Sequence, residues 1–235
     1  MKRISILIAG LLIVPMVSTV SAQTQLRFGI QSGPFMPQDW QVQGRSVIFN
    51  DPVPVQFVSV SGFGNGADLL LFAEYSGGNF GLRITGGIQL LKKYNYDIQT
   101  ASGERHLENN LTIIPIVSNV IYRFESSNPK ISPYFGFGPG LYIAKWEEKD
   151  FRYYSTFERD WFKGSKTAPG VNVLAGLEYV LYKGLRFGIE FSHSYVSADW
   201  RIDDEDSDSN IEYDNLNIGG SSIRLGLIYH FEYLN

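Results

Sequence analysis

Apolar and polar side chains alternate with period two in eight segments of this 235-residue chain. Strict alternation indicates β-strands that place one face against apolar surroundings. Each segment has about 10 to 16 residues, and a tilted strand needs about 9 to 11 to cross a bilayer. We therefore predict eight strands of membrane-spanning length, at residues 24–33, 67–77, 79–92, 109–124, 132–146, 168–181, 185–197 and 217–231.

The connections between these strands alternate in length. The short ones are Gly77-Gly78, 125–131 and 182–184, and the long ones are 34–66, 93–108, 147–167 and 198–216. A membrane barrel has short turns on one rim and long loops on the other, whereas a soluble barrel has no reason to sort its loops by length. The pattern predicts an all-β fold, an eight-stranded antiparallel up-and-down transmembrane β-barrel, with a soluble lipocalin-like barrel as the alternative.

One face of the predicted strands is apolar, and the other collects charges. The last strand, for example, places Leu225 and Leu227 on one face and Arg224 on the other. A charge that faces lipid at mid-depth costs about 2–4 kcal/mol, whereas opposite charges inside a barrel can pair. We therefore predict an interior polar cluster made of Arg27, Glu74, Arg83, Glu178, Arg186, Glu190 and Arg224. The segment 109–124 is apolar on both faces, so its orientation stays open.

The N-terminus has the features of a secretory signal. Lys2 and Arg3 precede an apolar run over 4–14, and Val20-Ser21-Ala22 offers small side chains for cleavage after Ala22. A membrane anchor is the weaker alternative, because the run is shorter than the roughly 18 residues of a spanning helix. We predict a signal peptide at residues 1–22 and a single barrel domain at residues 23–235.

The negative charge of the chain is concentrated in one predicted loop. Without Lys2 and Arg3 the chain has 18 basic and 24 acidic residues, and eight of the acidic ones lie in 199–214. This distribution gives no sign of nucleic-acid binding. Asp204, Asp206 and Asp208 have a spacing that some Ca²⁺ loops use, but the glycine and distal glutamate of an EF-hand are missing. A solvated acidic loop is the favoured interpretation, and weak binding of a divalent cation is the alternative.

The C-terminal strand contains a pattern typical of sorting signals in membrane barrels. Arg224, Gly226, Tyr229 and Phe231 give a polar residue, a glycine and two aromatic residues two positions apart. This spacing places both aromatic side chains on the lipid face, at the height of an interfacial girdle. Four residues follow Phe231, whereas the pattern usually ends at the final aromatic residue, and an ordinary amphipathic strand is the alternative.

Two further passages carry a family resemblance. Residues 111–124 (LTIIPIVSNVIYRF) and 133–140 (PYFGFGPG) resemble the fourth strand, turn and fifth strand of the OmpX, OmpW and OmpA-type outer-membrane β-barrel superfamily. The resemblance implies the outer membrane of a Gram-negative cell, with both termini in the periplasm. It also implies contact with outer-membrane lipid, lipopolysaccharide and the barrel assembly machinery. The superfamily includes adhesins, anchors, narrow channels and a few enzymes, so fold alone does not decide function.

The sequence contains few candidates for catalysis. A lipid A deacylase family of similar architecture has a serine two positions after its histidine, but His193 is followed by Ser194 and then Tyr195. We predict no enzyme, no cofactor and no metal site. The loop 147–167 interleaves charges with aromatic residues. Such a stretch can continue the hairpin above the membrane, pack against the other loops or take part in recognition. We predict a non-enzymatic surface protein acting through four long loops, with a narrow channel for small or hydrophobic solutes as the alternative and a lipid A-modifying enzyme as a less favoured one.

Overall fold

The computed structural model describes residues 24–37, 45–48, 64–92, 94–100, 103–153, 157–203 and 210–232. Side chains are described for residues 25–37, 65–91, 108, 110–147, 163–197 and 218–231. The described regular structure is β-strand, and within it no helix is long and apolar enough to cross a membrane. The strands are β1 Thr24–Pro37, β2 Arg45–Ile48, β3 Gly64–Gly77, β4 Phe80–Lys92, β5 Tyr94–Thr100, β6 Gly103–Arg123, β7 Ile131–Tyr153, β8 Phe157–Tyr182, β9 Leu185–Asp203, β10 Asn210–Asn217 and β11 Gly220–Glu232.

Eight of these strands close into a barrel. In circular order they are β1, β3, β4, β6, β7, β8, β9 and β11, and each pairs antiparallel with its neighbours. The ladder between β1 and β11 closes the sheet, because it pairs Leu26 with Phe231 and continues as far as Pro37 and Gly220. Closure satisfies the edge of each strand, as a lipid environment requires. The predicted eight-stranded antiparallel barrel is confirmed.

The two ends of the barrel differ. The turn end carries the two-residue turns 78–79 and 183–184 and the turn 124–130. The first residues of β1 and the last residues of β11 also lie there. Gly78, Lys183 and Gly184 have φ values of 59°, 25° and 84°, the backbone that two-residue hairpins need to match strand twist. The loop end carries the longer connections.

The outward face of the barrel is a broad apolar band. Leu71 is 60% exposed, Phe137 57% and Leu225 54%, and they alternate with buried neighbours along their strands. Among the residues with described side chains, 29 large hydrophobic ones are exposed, which gives a larger apolar surface than soluble monomers usually have. The band is suited to lipid and excludes the soluble alternative.

The long connections contain more strand than the sequence indicates. The predicted loop 147–167 is mostly the continuation of β7 and β8, which pair as far as Tyr153 and Phe157. Likewise β9 continues to Asp203, and β2, β5 and β10 fall in segments predicted as loops. For 147–167 a hairpin continuing above the membrane was one of the interpretations left open, whereas the loops predicted at β2, β5, β10 and the end of β9 were wrong. A hairpin beyond the membrane has no lipid-facing side. Its two faces therefore need not differ in polarity, and the period-two signal disappears.

Candidate functional site in the barrel interior

The register of the sheet brings the predicted charged residues into one row. Arg27 lies opposite Glu74, Glu74 opposite Arg83, and Arg83 opposite Asn119 across three successive ladders. On the other side of β1, Arg27 lies opposite His230. Since these positions share one face of the pleat, their side chains enter the lumen together.

Glu74 is the centre of the first group of ion pairs. Arg83 Nε donates to Glu74 Oε2 at 3.0 Å. Arg123 donates to both carboxylate oxygens of Glu74, and its Nη2 is 3.0 Å from Oε2. A two-pronged arginine–carboxylate contact is among the stronger and more directional interactions in proteins, so the group fixes β3, β4 and β6 against one another.

A second group crosses the lumen. Arg83 Nη1 donates to Glu190 Oε2 at 2.6 Å, and Arg224 Nη1 donates to Glu190 Oε1 at 3.2 Å. Arg224 Nε also donates to Asp68 Oδ2 at 2.7 Å, and the Ser222 hydroxyl donates to the same oxygen at 2.8 Å. Glu190 on β9 thereby connects its strand to β4 through Arg83 and to β11 through Arg224.

The third group lies nearest the turn end and is built around Glu178. Arg123 Nη2 donates to Glu178 Oε1 at 2.9 Å, and Arg27 Nη1 donates to Oε2 at 3.1 Å. Arg186 Nη1 is 3.6 Å from Oε2, and it donates to Ser132 Oγ at 3.0 Å. With Arg83 Nη2 at 3.9 Å from Oε1, this one carboxylate lies within 4 Å of four guanidinium groups.

Aromatic side chains pack against the arginines of the network. The Arg83 guanidinium carbon is 4.1 Å from the centre of the Phe72 ring and 4.9 Å from that of Tyr134. The Tyr134 hydroxyl donates to Glu190 Oε2 at 2.9 Å. These ring contacts are favourable for a desolvated cation, and they fill the space that the charged groups leave.

The loop-end half of the lumen is apolar, which the sequence analysis did not predict. Its buried side chains are Phe35, Leu91, Leu111, Ile113, Val117, Tyr142, Ala144, Trp146, Ala168, Val196 and Ile218. Several of them come from β6. Both faces of this strand are apolar, so its hydrophobic pattern does not show which face points into the lumen. The described lumen therefore has two layers, a charged one toward the turn end and an apolar one toward the loop end.

A small cavity lies between the two layers. Its volume is about 20 Å³, which is room for about one water, and Gln89, Asn119, Tyr142, Glu190 and Arg224 are among its lining residues. Ligand pockets typically measure about 300–1,000 Å³. The cavity is therefore too small to admit a solute.

All seven predicted interior residues enter the lumen, and six of them are buried, with Arg186 half-buried at the turn end. Two charged members were missed. Asp68 lies on the same inward face of β3 as Glu74. Leu70 and Phe72, which lie between them on that face, are apolar, so the face does not stand out as polar in the sequence. Arg123 belongs to β6, whose inward face the sequence left open. Asn119, a polar residue on the same face of β6, was the one signal that could have indicated that this face points inward.

The predicted sorting residues divide between the two faces as their spacing requires. Arg224 and Gly226 lie inside, whereas Tyr229 and Phe231 face outward and are each 46% exposed. Their ring centres are 4.5 Å apart, and Phe28 on β1 contacts Phe231 edge-on at 5.9 Å. Whether the cell uses these residues for sorting stays a prediction.

His193 lies on the outward side, half-buried between Phe191 and Tyr195 along β9. Its Nδ1 is 2.9 Å from Ser221 Oγ on β11, and its backbone oxygen accepts a bond from the Asn172 amide at 3.2 Å. The serine that contacts His193 is therefore Ser221 on β11, and not a serine close to it in the sequence such as Ser194. The absence of enzymatic activity stays a prediction.

The other predicted features lie outside the described parts of the chain. The signal peptide falls in residues 1–22, and the side chains of the acidic segment 199–214 are not described, so the weak cation site stays a prediction. Among the described residues, no group of three or more metal-ligating side chains lies close enough to hold a metal ion.

Together, the apolar band, the closed antiparallel sheet and the paired interior charges define a transmembrane β-barrel of the outer-membrane type. The family model described as "Outer membrane protein beta-barrel domain" matches residues 8–231. The chain belongs to this family, and its place is the outer membrane. A comparison with curated proteins found no match.

Solved structures share the fold at low sequence identity. A major outer membrane protein from Thermus thermophilus is 13% identical with a TM-score of 0.54, over 88% of this chain and 99% of that one. Neisserial surface protein A is 12% identical with a TM-score of 0.47, over 88% and 97%. The outer membrane protease OmpT from Escherichia coli is 10% identical with a TM-score of 0.40, over 91% and 99%. At 10–13% identity the likeness shows the fold alone.

Proposed function

We propose that this protein is a non-enzymatic surface protein, in which the barrel is an anchor and the loop-end strands contact another surface. The observation that carries the proposal is the length of the β7–β8 hairpin. The ladder between β8 and β9 ends at Gly170 and Val196, but β7 and β8 remain paired down to Tyr153 and Phe157. At about 3.3 Å per residue, the 13 residues 157–169 extend β8 by roughly 40 Å.

The protruding part is a sheet rather than a single hairpin. β6 pairs with β7 as far as Glu104 and Tyr153, and β5 pairs with β6 on the other side. An anchor without a surface role has no need of such an extension. The segment also alternates aromatic and charged residues, with Trp161 opposite Lys149 and Phe151 opposite Arg159 in register, a composition that suits recognition.

The orientation follows from the same architecture. We propose that the turn end faces the periplasm with both termini, since short turns belong to that side in outer-membrane barrels. The apolar band would contact outer-membrane lipid, the loop end would contact lipopolysaccharide, and the outward Tyr229 and Phe231 would engage the assembly machinery.

The experiment shortens the hairpin without disturbing the barrel. Glu147 and Lys163 are opposite each other in the β7–β8 ladder, so residues 148–162 are replaced by Asn-Gly, which forms a two-residue turn. Cells that display either chain are tested for self-aggregation and for binding to surfaces coated with heparin, gelatin or lipopolysaccharide. We expect the full chain to support at least one of these and the shortened chain to lose it.

The matched control shortens the neighbouring protrusion. Asp203 and Asn210 are opposite each other in the β9–β10 ladder, so residues 204–209 are replaced by the same dipeptide. This variant should keep the binding if the β5–β8 sheet carries it. Equal binding by the full chain and the 148–162 variant would contradict the proposal.

A second candidate function is a narrow conduit for small or hydrophobic solutes, for which the cavity between the two lumen layers, now the size of about one water, would have to widen. Against it, Trp146 and Tyr142 close one side, and the Arg83–Glu190 pair closes the other. A conduit would need both layers to open, so we place this function second.

A further inference from the structure

The ion pairs of the lumen form one continuous alternating chain. Carboxylates and arginines alternate in the order Asp68, Arg224, Glu190, Arg83, Glu74, Arg123, Glu178 and Arg27, and each contacts the next. Four carboxylates are thus matched by four arginines. Arg186 is a fifth arginine at the end of this chain, and the described cluster therefore has one positive charge in excess.

The excess charge is localised at Arg186. Its closest carboxylate oxygen, Glu178 Oε2, is 3.6 Å away and already accepts from Arg27 at 3.1 Å. Besides Glu178, Arg186 has polar contacts with Ser132, to whose Oγ its Nη1 donates at 3.0 Å, and with the His230 ring, whose Nδ1 is 3.4 Å from its Nη2. Its Nε is buried without a hydrogen-bond partner.

Such a charge needs a counter-charge. Arginine does not lose its proton in proteins, and an uncompensated ion removed from water is costly. The carboxylate side chains described in the lumen are already used by the other four arginines. We infer that a small monovalent anion, of the halide or simple carboxylate class, binds beside Arg186 at the turn end of the lumen.

Access and donors fit such an anion. The Arg186 side chain is 14% exposed, against 1% for Arg83 and 5% for Arg27, so the end of the chain of ion pairs is the part that solvent reaches. The Ser132 hydroxyl lies beside the Arg186 guanidinium, from which its oxygen accepts, so its own O–H is available as a donor there. Glu178 lies 3.6 Å from Arg186 on its inner side, so we expect a small anion to be favoured over a large one.

The test measures binding to the folded barrel in lipid vesicles. Urea unfolding is followed at constant ionic strength while gluconate, a large anion, is replaced by chloride or by formate. A ligand that binds only the folded state at 100 times its Kd raises the folded-to-unfolded ratio about hundredfold. We expect chloride and formate to stabilise and the ³⁵Cl NMR line of chloride to broaden. Equal stability in all three salts together with an unbroadened line would overturn the inference.

Variants locate the site. Arg186→Gln should remove both the salt effect and the line broadening, and Arg186→Lys, which keeps the charge, should keep part of them. Lys183→Gln is the matched control, since Lys183 is an exposed cation in the adjacent turn and should leave both unchanged. If Arg186→Gln does not refold, the Lys variant and the wild-type line broadening still decide the question. Broadening that persists in Arg186→Gln, or disappears in Lys183→Gln, would overturn the inference.

A final arm tests whether the chain supplies its own anion. Glu232 is two residues after His230 on β11. If its carboxylate neutralises Arg186, the wild type will be insensitive to chloride and Glu232→Gln will become sensitive. That outcome would overturn a free-anion site, whereas a salt effect equal in both proteins would support it.

Discussion

Arg83 and Glu190 join opposite walls of the barrel, because three strands separate β4 from β9 in either direction around the ring and the Arg83 Nη1 to Glu190 Oε2 distance is 2.6 Å. Glu190 also accepts from Arg224 and from the Tyr134 hydroxyl. Replacing it with Gln leaves two buried guanidinium groups short of a counter-charge. We expect Glu190→Gln to lower the free energy of unfolding by about 3–5 kcal/mol, measured by urea unfolding in vesicles. Glu125→Gln, at an exposed turn position, should have no measurable effect, and similar losses in both would argue against the network.

The second prediction concerns Tyr134, which needs the space that Gly176 provides. A Cβ on Gly176 would lie 2.4 Å from the Tyr134 ring, so Gly176→Ala must displace the tyrosine from Glu190. We expect a loss of roughly 1–3 kcal/mol in the same assay. Gly77→Ala is the control, because a Cβ there meets no atom within 4 Å. A Gly176 variant as stable as the Gly77 variant would show that Tyr134 is dispensable.

The third prediction concerns the outward aromatic residues of β11. Replacing Tyr229 and Phe231 with alanine should lower the amount of folded protein in the outer membrane, since the girdle contact and the proposed contact with the assembly machinery would be lost together. The matched control replaces Phe135 and Phe137, an outward pair on β7 with 41% and 57% exposure. Immunoblots of heated and unheated membrane fractions measure the folded amount. Equal losses in the two double variants would mean that lost lipid contact, and not a sorting signal, explains the effect.

The fourth prediction concerns conduction. Two layers in series close the lumen, so planar-bilayer recording of the wild type should show no conductance or small, rare openings. Trp146→Ala opens the apolar layer only and should change little, because the ion pairs below still fill the lumen. Adding Arg83→Ala and Glu190→Ala should produce measurable currents. Large, steady currents from the wild type would support the conduit over the surface role.

Sequence reasoning predicted the barrel well because lipid imposes the pattern. Where β11 crosses the membrane, Leu225 must face outward and Arg224 inward, so alternation gives the strand and its direction. The same argument oriented Arg27, Glu74 and Arg83 before their contacts were known. The order of the chain of ion pairs was not predictable, because it depends on the register between strands that are far apart in sequence, such as β4 and β9.

The alternation of polar and apolar residues could not predict two other features, the orientation of β6 and the extension of β8 beyond the membrane. In β6, Ile113 and Ile121 face the lumen, and Ile116 and Val120 face outward, so hydrophobicity alone cannot distinguish the faces. Arg123, at the end of this strand, was missed as a result. Beyond the membrane, the extension of β8 to Phe157 has no lipid to enforce alternation, and its strand character became visible only through its pairing with β7.

Every strand of the ring contributes at least one member to the interior polar network, from Arg27 on β1 to Arg224 on β11, with Ser132 and Tyr134 as the members from β7. A sheet that lacks one strand therefore leaves a charged or polar group without its partner and facing lipid. The free energy of such a partial sheet in the bilayer is raised by these unpaired groups, whereas the complete ring pairs them. We therefore expect closure and insertion to be cooperative, because an incomplete sheet would carry unpaired charges into the bilayer.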